Sequence, residues 1–111
     1  MDTIEDKITK ITELQLFLNG RLPNINDAKP MHIYEELLSL HDNRPINKFT
    51  NMRNLARLFI SRKANRIQIT DFHVISRVTD LLLKSATRPE KLEYHKLAVQ
   101  VNVIIAKNRI H

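Results

Sequence analysis

At 111 residues, 42% hydrophobic and 27% charged, the chain reads as one globular domain, too short for a catalytic domain plus a regulatory one. A single Gly and four Pro argue against an all-β fold, which needs a turn about every 8–12 residues, and zero Cys rules out disulfides and thiolate metal sites. The formal net charge of +6 and a pI near 9.9 favour an anionic partner, nucleic acid or an acidic protein.

Ile4, Ile8, Ile11, Leu14 and Leu18 recur at helical spacing, predicting a first helix over residues 4–19 that stops at Asn19-Gly20. Residues 21–30, RLPNINDAKP, read as a loop, and Pro30 suits the first turn of a second helix over 30–41. That helix would use Ile33, Leu37 and Leu40 on one side, with Tyr34 and Leu38 beside them. After a break at Pro45, Thr50 is the expected N-cap of a third helix over 50–65, with Met52, Leu55, Leu58 and Phe59 facing inward. Thr70 is the expected cap of the fourth, 70–85, with Asp71 beside the positive end of its dipole. Its buried stripe would be Val74, Ile75, Val78, Leu81 and Leu82. Thr87-Arg88-Pro89-Glu90 has the capping-box pattern and opens a fifth helix over 88–108. Val99, Val101 and Val103 alternate as a strand would, but no Gly or Pro interrupts residues 90–111 and no second strand offers itself for pairing. The expected fold is all-α, a small bundle of about five helices. Its core would hold Leu14, Leu37, Leu55, Leu58, Phe59, Val74, Val78, Leu81 and Val101.

Charge is unevenly placed along these elements. Residues 1–42 carry eight acids against four bases, so the positive excess lies after Asn43. Between Asp42 and Asp71 stand seven bases, Arg44, Lys48, Arg53, Arg57, Arg62, Lys63 and Arg66, and no carboxylate. Long cations on the outer face of a helix suit the phosphates of a nucleic acid or a nucleotide. Most aromatics fall on apolar faces; Phe49, beside Lys48 and Arg44, is the one candidate for base stacking, set against a role as a hydrophobic staple before the third helix.

Other chemistry finds little support. His32, His41, His73, His95 and His111 do not cluster and form no HExxH pair, so no metal site is expected. There is no GxxxxGK[ST] or GxGxxG, and Ser39, Ser61, Ser76 and Ser85 fall within helices. No catalytic residues and no cofactor of its own are therefore expected. The turn at Arg66–Ile69 lacks the Gly usual in a helix-turn-helix, which makes a groove-reading motif the weaker choice. No apolar run nears the roughly 18 residues that cross a bilayer, and MDTIEDKI does not look like a secretion signal. A cytoplasmic or nuclear location without a membrane partner is the expectation.

Arg53, Leu55, Leu58 and Ala64, followed by Ile69-Thr70-Asp71-Phe72-His73-Val74, carry a resemblance. Their intervals resemble the C-terminal helical lid of AAA+ ATPases, in the branch of minichromosome maintenance helicases, MoxR-type proteins and magnesium chelatases. His73 stands where that family usually has Asp, and the likeness covers about 35 residues of the chain. It implies that Arg53 is similar to the sensor-2 arginine that reaches a nucleotide's γ-phosphate, with ATP bound only within a larger ATPase, helicase or primase assembly. The leading expectation is thus a phosphate-contacting module in a DNA-replication setting, with DNA placed ahead of RNA. Arg53 would contact nucleotide, and Arg44, Lys48, Arg57, Arg62, Lys63 and Arg66 would contact nucleic acid. The alternative is a non-enzymatic adaptor, viral or a subunit, that docks through the apolar stripe of the first helix.

Overall fold

The computed structural model describes residues 3–109; Asp2 and His111, which enter the readings above, lie outside them. Five helices are present and no strand occurs among the described residues: α1 (Ile4–Phe17), α2 (Pro30–Leu40), α3 (Met52–Arg66), α4 (Phe72–Ser85) and α5 (Arg88–Arg109). The chain is a small all-α bundle.

Local hydrogen bonds set the helix ends. Thr3 and Asp6 form a reciprocal capping box at α1, with Asp6 N–H donating to Thr3 Oγ1 at 3.2 Å and Thr3 N–H to Asp6 Oδ2 at 3.3 Å. At the other end Asn19 and Gly20 take φ of 56° and 67°, and the Gly20 N–H donates to Gln15 O at 2.9 Å. This left-handed turn satisfies a terminal carbonyl where the absence of a Cβ removes the strain. The Thr87–Glu90 box at α5 forms as expected, at 3.1 and 3.3 Å.

Two caps differ from the sequence reading. Asn51, not Thr50, caps α3 by accepting from Asn54 N–H at 2.8 Å, because Asn102 on α5 holds both backbone groups of Thr50. Asp71, not Thr70, caps α4 by accepting from His73 and Val74 N–H. Both helices therefore begin two residues later than expected.

In the core, α3 packs mainly on α4 and α5, α2 on α5, and α1 on α4. Leu14, Leu55, Phe59, Val74, Val78 and Val101 are buried as expected, each apolar side chain contributing on the order of 1.5–3 kcal/mol. Leu37, Leu58 and Leu81 are only partly buried, which corrects their assignment to the core. The third layer comes instead from α5, where Tyr94, Leu97, Ala98, Val101 and Ile105 are buried along one helical face. The alternating valines do not form a strand: Val99 and Val103 are each about half exposed while Val101 is fully buried, as the helical period requires.

The 21–30 loop is less of a linker than its composition suggests. Leu22 and Pro23 are buried, and the Tyr94 hydroxyl donates to Pro23 O at 2.7 Å. Burial, then the nearby Glu90 charge, pushes the Tyr94 phenol far above its usual pKa, so it remains a neutral donor. The ring also meets Phe59 edge-on at 6.1 Å. Tyr94→Phe should leave the Pro23 carbonyl unpaired and lower stability by about 1–3 kcal/mol, read as a lower urea midpoint at unchanged slope. A midpoint equal to that of the wild type would mean the loop carbonyl is satisfied some other way.

Candidate nucleic-acid interface

Helix α3 buries Leu55, Ala56, Phe59, Ile60 and Ala64 across about half of its circumference, and Lys63 lies within that arc against the residue 23–28 loop. At about 100° per residue, Arg57 lies on one edge of the exposed strip and Arg62 and Arg66 on the other, about 13 Å apart along the axis for the 57–66 pair. Of the seven cations of the run, Arg44, Lys48, Arg53, Arg62 and Arg66 are exposed, and Arg57 and Lys63 are partly buried. The strip between the edges carries Asn54, Leu58, Ser61 and Asn65, and no carboxylate.

The seven cations of the run differ in what already holds them. Arg62 pairs with Glu36 of α2, and its guanidinium lies 4.8 Å from the centre of the Phe59 ring. Arg44 pairs with Asp42 at 3.5 Å on the open surface. Arg53 presents its fork to Asp80 of α4, Nε to Oδ1 at 2.8 Å and Nη2 to Oδ2 at 3.3 Å. Arg57 donates to Asn54 Oδ1 at 3.1 Å and lies 5.2 Å from the centre of the Phe72 ring. Arg57, Lys48, Lys63 and Arg66 form no ion pair among the described residues, so their charge is not offset by a bound carboxylate.

Two of these four line a groove. Leu37, Leu40 and His41 of α2, the 46–50 segment, Asn54, Arg57, Leu58 and Ser61 of α3, and Phe72 and Ile105 enclose about 390 Å³. That lies within the range of ligand sites, about 300–1,000 Å³. No carboxylate lines it; its charged side chains are Lys48 and Arg57. Phe49 and Phe72 at its edge are 53% and 61% exposed. Phe49 therefore is not a staple on the core; the Arg109 guanidinium lies 5.1 Å from its ring centre. Phe72, which the sequence reading left outside the buried stripe of α4, opens that helix on the outside. Asn102 fixes the segment beside it, accepting from Thr50 N–H at 2.8 Å and donating to Thr50 O at 2.9 Å.

Lys63 and Arg66 lie elsewhere, with Arg62, on a smaller recess of about 290 Å³ against Asn24, Ile25 and Asp27. A further cavity of about 390 Å³ between residues 21–26 and α5 is lined by Glu90, Glu93 and Arg21, the last paired with Glu90, which leaves it a net negative charge.

Arg53, which the lid resemblance makes a nucleotide contact, already presents its donors to Asp80 in a half-exposed ion pair. Its donors match a carboxylate already present, and a phosphate would have to displace Asp80. The pair also holds the Asp80 carboxyl below its ordinary pKa, first through the Arg53 hydrogen bond, then through the charges of Arg53, Arg77 and Arg57, with partial burial opposing. Asp71 is likewise depressed, led by the Val74 N–H, and Glu90 by the Thr87 N–H and hydroxyl. A folded-state pKa below the unfolded value stabilises the fold above the unfolded pKa, near 4, and that stability is lost as pH falls through the folded value. Helicity should therefore be level from neutral pH to about 5 and the denaturation midpoint should fall below about 4. Asp80→Asn should flatten part of that fall; an unchanged acid limb would mean the Arg53–Asp80 pair does not form in solution.

Among the described residues no group of three His, Asp or Glu could hold a metal ion, and no helix is long and apolar enough to cross a membrane. No protein-family model, curated protein or solved structure matches the chain.

Proposed function

We propose that this chain is a non-enzymatic helical module that binds nucleic acid through its phosphates, within a larger replication-type assembly. One observation carries the reading. Of the seven cations in the acid-free run, Lys48, Arg57, Lys63 and Arg66 have no ion-pair partner among the described residues, and the groove that Lys48 and Arg57 line has no carboxylate either. A structural role would be expected to pair such cations, as it does for Arg53 and Arg62. Phosphate contact needs cations that are mobile and unpaired, and it adds affinity without base preference.

A second reading has its own support. The N-terminal half of the α1 stripe is exposed, Ile4 at 79% and Ile8 at 57%, whereas Leu14 and Leu18 of the same stripe are buried in the core. An adaptor that docks through α1 would use those two isoleucines. Titration of the protein with labelled single- and double-stranded oligonucleotides at low and moderate salt separates the two. Phosphate binding weakens steeply as salt rises. Affinity that ignores salt, or none at all, removes the nucleic-acid reading and leaves the α1 face as the one to pursue.

A further inference from the structure

We infer that the groove between α2, the 46–50 segment and α3 takes an unpaired nucleobase, so that the strand this module binds is single-stranded. The inference rests on the nucleic-acid reading and adds to it where the base goes. Three features converge. The two most exposed phenylalanines of the chain, Phe49 and Phe72, line this groove; a guanidinium covers one face of each ring, and a base would stack on the other. Thr50, Asn54 and Ser61 share the lining, and their side chains offer hydroxyl and amide groups to a base edge. Lys48 and Arg57 supply the only formal charges of the lining, so the phosphates on either side of the base meet cations and no carboxylate.

The floor decides between single and double strands. Leu58, Ile46 and Ile105 close the groove from below, and Ile46 and Ile105 are buried in the core. A base held in a duplex is stacked and paired, and its face cannot reach a recess of this kind; an unpaired base is free to turn into it. The guanidinium groups of Arg57 and Arg109 already lie about 5 Å from the Phe72 and Phe49 ring centres, which extends the stacking surface with flat cations. Asn102 gives the arrangement its rigidity by clamping Thr50 next to Phe49.

The test uses the full chain with an oligothymidylate carrying one 2-aminopurine, an abasic deoxyribose-phosphate strand of the same length, and a duplex. The oligothymidylate should bind more tightly than the other two, and 2-aminopurine fluorescence should be quenched on binding. Phe49→Ala and Phe72→Ala should each weaken oligothymidylate binding about tenfold and leave its salt slope unchanged, because neither ring carries charge. Phe49→Trp and Phe72→Trp should retain binding. Both rings are more than half exposed, so these variants should fold; their circular dichroism checks that. Equal binding of the abasic strand, indifferent to both substitutions, overturns the base site while the phosphate reading stands. Binding of none of the three probes overturns both. Capture of an acidic amphipathic peptide through Phe49 and Phe72, with no oligonucleotide bound, makes the groove a peptide site and overturns the inference as well.

Discussion

Leu55→Ala is expected to lower stability by about 3–4 kcal/mol, whereas Leu58→Ala, one turn along the same helix, should cost about 1 kcal/mol. Leu55 is fully buried against α4 and α5; Leu58 is only partly buried and faces the groove. Deleting a side chain with no solvent contact loses its transfer free energy and leaves a cavity that neighbouring helices fill poorly. At Leu58 part of the surroundings is already solvent, so less of either cost arises. For a domain whose total stability is of the order of 5–15 kcal/mol, the first substitution removes a large share and should lower Tm by more than about 10 °C. The contrast is diagnostic of the site as well as of the core. Equal costs at the two positions would place Leu58 inside, which would close the groove that Phe49 and Phe72 line.

Combining Lys48→Ala, Arg57→Ala, Lys63→Ala and Arg66→Ala should remove most of the salt dependence of oligonucleotide binding. Each phosphate neutralised on a single strand contributes about −0.7 to the slope of log affinity against log salt, so four contacts give about −3. The wild-type affinity should then fall about fiftyfold between roughly 50 and 200 mM salt, and that of the fourfold variant should stay nearly level. None of the four has an ion pair to lose, so the fold should tolerate their removal. Arg53→Ala is the comparison. Its donors are occupied by Asp80, so it should leave the slope close to the wild-type value. A slope that changes as much with Arg53→Ala as with any single member of the four would mean that pairing to a carboxylate does not withhold a cation from the strand. A fourfold variant with an undiminished slope would put the binding surface elsewhere.

Several features follow from the sequence alone because their causes are local. The existence and order of five helices come from apolar spacing, from Pro30 and Pro45, and from the Asn19-Gly20 stop, all of which act within a few residues. The capping box at Thr87 depends on a side chain and a backbone three positions apart, and it forms where the pattern lies. The absence of acids from the 43–70 run is likewise a property of sequence, and it survives folding as a groove lined by no carboxylate.

Only the tertiary structure decides which cations remain unpaired, because their partners are distant in the chain: Asp80 lies 27 residues from Arg53, and Glu36 lies 26 residues from Arg62. The same holds for the α3 cap. Thr50 is a good local choice, but Asn102 takes both of its backbone groups from 52 residues away and leaves the capping position to Asn51. That one-residue shift of the cap and its counterpart at Asp71 also set where Phe49 and Phe72 emerge, because a helix's starting point decides which residues fall before its first turn. Amphipathic spacing says that one side of a helix is apolar; it does not say how much of that side its neighbours cover. Leu37, Leu58 and Leu81 satisfy the spacing and remain partly exposed, because α2, α3 and α4 are each covered along only part of their length. The groove is what that incomplete coverage leaves open.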